Sequence, residues 1–457
     1  MKWFKHIKTV LDKEPELWLA YLHGQKYDQL KHFSENKKKY SGFFTRFAIW
    51  VFLLFSQTRL RFKPSNKKCK FLVYAGTVNQ KNSLQQSILA LRKNNQVVCA
   101  LAPKKILSRT DIEDDTFNIK TYGFMEVVKT FLVLILRFNL LRKQLKDKNR
   151  NLIKNDLNVF LNIYDELVYF ERLLREVKPD YVIVSNDHNA SNRSLLALAR
   201  EMGIKTAYMQ HASVSNLFPA INVDYAFLDG EFSLNVYRNC EKNIVSDMVR
   251  LKERKVFLSG QKKLLQKVIV RKREKLGVAI NTLDSNKNIA DMISYLYFSG
   301  FSLKIRWHPG LSKRKVKELL FVLKKFKVEV SNPFQESLVE FFSDIKCLIS
   351  GNSSIHLEAA LSDVVPIYYE ITESDISDYY GYVESGLAKE CLSLTDIGET
   401  VKSIMGGGET VDRNAVQRYS STYSTEWEGN EGELVAQTMI KLSENKKLPL
   451  EPISLDS

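Results

Sequence analysis

Two polar turns hold the side chains best suited to chemistry. In Ile349-Ser350-Gly351-Asn352-Ser353-Ser354-Ile355-His356-Leu357-Glu358, an apolar run breaks into small polar residues and then resumes with helical spacing. Some forty residues earlier, Arg306-Trp307-His308-Pro309 ends another apolar run. Ser353 and Ser354 are expected to cap a helix, where hydroxyls, unpaired N–H groups and the helix dipole together bind anions. Gly351 and Asn352 form the approach to that turn, and glycine lets the backbone bend and a ligand come close. Glu358, one helical turn on, is placed to accept hydrogen bonds from a sugar hydroxyl. His308 cannot continue into a sheet ahead of Pro309, so its ring is expected to donate to a phosphate or sugar oxygen. Arg306, two residues back on an extended chain, is expected on the same face. Asp284, in the polar loop Asn281–Ser285, is a third candidate contact. Two such turns at neighbouring strand ends suit the phosphates of a nucleotide-linked sugar.

The first half of the chain has its own pair of polar strand ends, Asp187-His188 and Gln210-His211. An acceptor hydroxyl needs a general base beside its proton, and His or Asp can serve. His188, His211 and Asp187 are the catalytic candidates, with Gln210 beside them in the substrate site; loop capping is the alternative for each pair. Asp187 and His188 alternate faces if extended, so one of them reaches the acceptor. Asp229-Gly230-Glu231 is expected to be a structural corner. No Asp-x-Asp triplet follows a strand. Hydroxyls, helix dipole and basic side chains are therefore expected to stabilise a leaving diphosphate without a metal or other cofactor. No P-loop, zincin, hydrolase-elbow or dinucleotide fingerprint occurs in a suitable context.

The elements that must position these groups alternate. Short strands are expected at 70–76, 96–101, 180–184, 206–211, 223–228 and 255–258, with helices at 83–91, 124–146, 158–177 and 191–202. A second series begins near 275, with strands at 276–280, 302–307, 328–330, 346–350 and 365–369 and helices between them. This is an α/β pattern of doubly wound parallel sheets, with ligands at the carboxyl ends of the strands. The chain divides into a basic N-terminal segment (1–66), a Rossmann-like acceptor domain (67–262), a Rossmann-like nucleotide-sugar domain (263–420) and a C-terminal helix and tail (421–457). The basic stretch Lys262–Lys275 is the hinge candidate.

Length and composition agree with two cores: 457 residues, 44% hydrophobic and 26% charged. The formal net charge is +16, and residues 1–70 contain 16 Lys and Arg against 5 Asp and Glu. An anionic surface is the partner such an excess implies. Phe47–Phe55 is apolar throughout and has basic residues on both sides, which suits a helix lying in a membrane interface; a buried helix is the alternative. Nine apolar residues are far short of the roughly 20 that span a bilayer. No nucleic-acid-binding signature accompanies the charge, so no nucleic acid is expected as partner. Met1–Ala20 lacks the apolar core of a signal peptide. Five scattered cysteines without CxxC spacing point to reduced thiols and no zinc site.

His308-Pro309 followed by Gly351-Asn352-Ser353-Ser354 resembles the HP and Ser-Ser motifs of bacterial GT-B glycosyltransferases of capsule and lipopolysaccharide biosynthesis. These include sialyl-, polysialyl- and Kdo-transferases and polyglycerol-phosphate polymerases. Asp187-His188 and Gln210-His211 are similar to the DH and QHG segments of such enzymes, with Ala212 here in place of the glycine. The resemblance covers roughly residues 180–370. It implies two facing Rossmann-like domains with a cleft between them. It also implies transfer of a sugar from a nucleotide donor to a lipid-linked or growing surface glycan, by a cytoplasmic enzyme held peripherally on the inner membrane; inversion at the anomeric carbon is expected from the candidate bases themselves. His308, Ser353 and Ser354 would contact the nucleotide-linked phosphate. A CMP-sialic acid or Kdo donor, a CDP-glycerol donor, a sugar-nucleotide 2-epimerase and a non-catalytic scaffold in polysaccharide assembly are the competing readings.

Overall fold

The computed structural model describes residues 2–13, 43–56, 58–59, 68–107, 117–146, 150–187, 189–216, 218–242, 251, 253–261, 273–372 and 377–455. His188, residues 262–272 of the hinge candidate and much of the basic N-terminal segment lie outside them.

Two sheets carry the architecture. In the first, the strand order is Ile453–Ser454, Lys255–Leu258, Tyr225–Leu228, Lys205–Met209, Tyr181–Val184, Phe71–Tyr74, Val98–Pro103, Asn118–Lys120. All neighbours are parallel except the first pair. In the second, the order is Glu329–Ser331, Leu303–Trp307, Lys275–Ile280, Ile345–Ser350, Val365–Tyr369, Lys389–Cys391, parallel throughout. Runs such as Phe71–Tyr74 and Tyr181–Val184 are buried at every position. Helices cover both faces of a parallel sheet, so its central strands read as unbroken apolar runs without alternation. The two doubly wound units form the GT-B arrangement.

The C-terminal segment returns to the first unit. Val435, Ala436 and Met439 of the helix Glu431–Ser443 share a core with Phe71 and Val73, and Ile453–Ser454 adds an antiparallel edge strand. The two crossings between units lie side by side. Gly260 N–H donates to Ser421 Oγ at 3.1 Å, and Gln261 N–H to Ser420 Oγ at 3.0 Å.

The N-terminal helices Lys2–Lys13 and Phe43–Ser56 pack on the long helix Arg150–Val177. The two readings of the apolar segment each describe one side of it. Trp50 and Leu54 are buried, and Trp50 Nε1 donates to Asp165 Oδ1 at 2.9 Å. Phe44, Phe52, Leu53 and Phe55 are exposed. The helix Phe124–Lys146 divides in the same way, burying Val127, Val133 and Leu134 while exposing Leu132, Ile135 and Leu136.

The crossing yields a stability prediction. Gly260 has φ +71°, and a Cβ there would lie 1.8 Å from Thr422 Oγ1. Gly260→Ala should cost about 3 kcal/mol or more, combining left-handed strain with overpacking. Urea unfolding against wild type would measure it, and a loss below about 1 kcal/mol would show that the crossing relaxes.

Candidate functional site

In the second sheet the chain runs outward from Lys275–Ile280 through Leu303–Trp307 to Glu329–Ser331. It then crosses back to Ile345–Ser350 and continues the other way. The loops leaving Lys275–Ile280 and Ile345–Ser350 therefore diverge and open a crevice at the switch point, where α/β sheets bind ligands. Those loops are Asn281–Ser285 and Gly351–Ser354.

They are tied together by short polar bonds. Asn281 Nδ2 donates to the Asn352 carbonyl at 2.7 Å, and Ser350 Oγ donates to the Ala279 carbonyl at 2.9 Å. Asp284 Oδ2 accepts the Asn281 N–H at 2.7 Å, closing its own loop. Burial pushes the Asp284 carboxyl up to about 6, against the lowering pull of that N–H and of Lys315, with Glu370 raising it further. Ser285 N–H donates to Thr372 Oγ1 at 2.8 Å, joining the loop after Val365–Tyr369. Lys315 Nζ, held at 2.9 Å by the Thr282 carbonyl, adds a cation at the edge.

Ser353 and Ser354 do not cap as expected. Ser354 stands at the N-cap of Ile355–Ala360 in helical backbone conformation, and its side chain makes no capping bond. Ser353 Oγ accepts only a long 3.4 Å contact from Ile355 N–H. A six-residue helix also adds little dipole. Any anion binding here rests on the hydroxyls themselves. The role given to Gly351 in turning the chain is likewise corrected: a Cβ there would make ordinary contacts, the nearest 3.5 Å from the Tyr369 carbonyl.

His308 follows Leu303–Trp307, on the other side of Lys275–Ile280 from the Ser-Ser turn. Its Nδ1 accepts the Gly310 N–H at 2.9 Å. The neutral ring therefore carries its proton on Nε2, which remains as a donor. The residue is exposed, and partial desolvation of the ring lowers its pKa. Arg306 is not beside it. The guanidinium is buried, donating to Ser331 Oγ at 2.7 Å and twice to the Glu336 carbonyl at 3.1 Å. It braces the edge of the sheet. His308 lies past the last strand residue, so strand alternation does not put the two on one face.

Glu358 is buried in the short helix, where a sugar hydroxyl would have to displace packing to reach it. The neighbouring His356, fully buried, has the clearer part. Its Nε2 lies 2.9 Å from the Gly351 carbonyl. Burial pushes its pKa down to about 4, so the ring is neutral at pH 7 and donates from Nε2 to hold the turn.

The first sheet has its own switch point, between Phe71–Tyr74 and Tyr181–Val184, and Asp187 lies there. Asp187 is buried. Tyr208 and Tyr237, whose hydroxyls are 3.0 Å apart, have pKa values raised by burial and further by the Asp187 charge. The Asp187 carboxylate thus lies close enough to these two core tyrosines for its charge to act on them. Gln210 is part of the frame: Oε1 accepts the Asp229 N–H at 2.9 Å and Nε2 donates to the Ala212 carbonyl at 3.0 Å. The same bond makes Asp229 a corner, as expected. His211, half-buried, comes next in that loop.

A tyrosine-rich loop joins the two crevices. Tyr379 N–H donates to Asn352 Oδ1 at 2.8 Å, and the Tyr379 side chain bonds Ser215. Tyr382 OH lies 2.5 Å from Ser213 Oγ. Asn281, His356 and Tyr379 were not singled out from sequence. Their roles come from contacts, Asn281 to Asn352 spanning 71 positions, and nothing local signals them.

No family model and no curated protein matches the chain. Solved structures do. A putative UDP-N-acetylglucosamine 2-epimerase from Listeria monocytogenes aligns with TM-score 0.52 and 10% identity, over 84% of this chain and 98% of its own. The Neisseria meningitidis UDP-GlcNAc 2-epimerase, in a structure bound to UDP-GlcNAc, aligns with TM-score 0.50 and 16% identity over 81% and 99%. At these identities the shared property is the fold.

Burial of His356 predicts a pH effect. The folded value of about 4 lies below the unfolded 6.5. The group therefore costs nothing above pH 6.5, and the cost grows as pH falls, levelling off below pH 4. The full loss is about 3 kcal/mol. His356→Gln should lack this component, so its stability should fall less than that of wild type between pH 6.5 and 4 in urea titrations. Parallel profiles would show that the ring is not held neutral.

Proposed function

We propose that the protein is a glycosyltransferase that takes a sugar from a nucleotide donor and passes it to a lipid-linked or growing surface glycan without a metal ion. The observation that carries this reading is the pairing of two switch-point crevices bridged by one loop. One crevice has uncommitted serine hydroxyls, the His308 Nε2–H and Lys315 near it. The other has Asp187 and His211. Donors of hydrogen bonds and positive charge suit a departing diphosphate. An imidazole or carboxylate suits the acceptor proton, with His188, His211 and Asp187 as candidates for the base and inversion as the expected stereochemistry. The GT-B fold and the resemblance of the HP and Ser-Ser motifs support it.

A non-hydrolysing sugar-nucleotide 2-epimerase is the second reading, favoured by the likeness to the two epimerase structures. The two differ in products. Transfer releases the nucleoside diphosphate or monophosphate and needs an acceptor. Epimerisation leaves the sugar–nucleotide bond in the product and needs none.

Thermal shift with UDP, GDP, CMP, CDP and ADP tests the donor site. One nucleotide at a hundredfold excess over its Kd should stabilise wild type by about 2.7 kcal/mol. The Ser353→Ala/Ser354→Ala variant and His308→Ala should each lose most of that shift while keeping their unliganded melting temperature. CMP would indicate a sialic acid or Kdo donor, CDP a glycerophosphate donor, and UDP or GDP an ordinary hexose. No shift with any nucleotide overturns the assignment and favours a scaffold, and a shift that the variants retain overturns the placing of the nucleotide at the Ser-Ser turn and His308. Product analysis with the matching sugar nucleotide then separates transferase from epimerase.

A further inference from the structure

The exposed apolar residues of the first unit are concentrated on two adjacent helices. Phe44 and Phe52 on Phe43–Ser56 are 84% and 72% exposed, and Ile135 on Phe124–Lys146 is 73% exposed. Phe55 and Leu136 lie among them. The helices touch through Trp50 and Phe131, whose ring centroids are 5.6 Å apart, and both rest on Arg150–Val177. Aromatic and aliphatic surface of this extent marks an interaction site.

The charges on the same two helices choose the partner. Their one carboxylate, Glu126, is 4% exposed and accepts the Gly123 N–H at 2.7 Å. Every other charged residue on them is a cation: Arg46, Lys129, Arg137, Arg142, Lys143 and Lys146. A second copy of this chain would bring the same cations against them. An anionic bilayer complements both the apolar and the charged character. Phe43–Ser56 has 14 residues, about 21 Å of helix, too short for a hydrocarbon core of about 30 Å. Among the described residues no helix is long and apolar enough to cross a membrane. The geometry therefore points to a helix lying in the plane of the interface.

The position of this face bears on the reaction. Thr58–Arg59, directly after the first helix, pairs in parallel with Tyr122–Gly123, directly before the second. That pairing lies just past the carboxyl end of the edge strand Asn118–Lys120. Phe55, Phe124 and Met125, all exposed, thus gather at the carboxyl-end rim of the first sheet, the rim that also holds Asp187 and Gln210. We infer that the face formed by Phe43–Ser56 and Phe124–Lys146 seats the first domain on an anionic lipid bilayer, with its crevice rim next to the headgroups. A lipid-linked acceptor could then enter without leaving the membrane. That last consequence rests on the transfer reading; the docking itself does not.

Vesicle cosedimentation of the full chain tests it without nucleotide or activity, so failure of the donor assignment leaves the result intact. Wild type should bind phosphatidylglycerol–phosphatidylcholine vesicles at least about tenfold more tightly than phosphatidylcholine alone, and less tightly as salt rises. Phe52→Ser/Phe55→Ser and Ile135→Ser/Leu136→Ser should each weaken binding about fivefold or more. Phe298→Ser/Phe321→Ser, at equally exposed sites on the second domain, should leave it unchanged. Using two separate pairs guards against one variant failing to fold, checked by melting temperature. The inference is overturned if wild type ignores both vesicles, if both pairs bind as wild type does, or if the pairs instead turn a dimer into a monomer in sedimentation.

Discussion

Asn352 is held from both directions, and the arrangement of the site depends on it. Its carbonyl accepts from Asn281, which fixes it to the neighbouring strand's loop, and its Oδ1 accepts the Tyr379 N–H. Behind it, His356 grips the Gly351 carbonyl from inside the core. The crevice wall is thus backbone whose polar groups are bonded by buried or half-buried side chains. This leaves the serine hydroxyls uncommitted. A turn capped by its own serines would have spent those groups on its own N–H bonds. Because Tyr379 also reaches Ser215 on the other domain, the position of the turn and the separation of the domains are mechanically linked.

The parallel strands were legible because a strand buried on both faces has to be apolar along its length. Ile345–Ser350 and Val365–Tyr369 announce themselves, and their ends give the site's address. Side-chain direction at those ends was not legible. Period-two alternation holds only inside a strand, so Arg306 pointed into the sheet edge while His308 belonged to a turn. Gln210 looked like a substrate contact because it is polar at a strand end, yet the Asp229 N–H beside it needed an acceptor. The return of Glu431–Ser443 to the first core could not be read locally either, since an amphipathic helix does not state which surface it covers.

The apolar N-terminal segment was ambiguous for a different reason. Phe47–Phe55 is hydrophobic on all sides, so its pattern carries no information on orientation. The structure resolves this by giving the helix two environments. Trp50, with one polar hydrogen, turns toward the buried carboxylate of Asp165, which accepts it. Asp165 also accepts from Tyr122 at 2.9 Å. Burial and the nearby Glu166 charge push its carboxyl up to about 7, although Lys120, Trp50 and Tyr122 pull it down. Anchoring through Trp50 fixes the helix rotation, and the rotation determines that the phenylalanines face outward.

Among the described residues, side-chain contacts cross the domain seam at the tyrosine loop. Ser213–Tyr382 and Ser215–Tyr379 join the loop after Lys205–Met209 to the tyrosine loop, and Phe232 stacks on Tyr419 at 4.4 Å. The covalent crossings, by contrast, are held by Ser420 and Ser421 against the 259–261 backbone. The described ends of the crossings are thus braced apart from the seam, where the two loops meet through side chains. The Ser-Ser turn would register any movement at that seam directly, because the Tyr379 whose side chain bonds Ser215 also donates its N–H to Asn352. On the proposed reading, a sugar nucleotide seated on the serines would bear on the loop that holds Ser215 through one side chain and one loop, with no need for a distributed path between the sites.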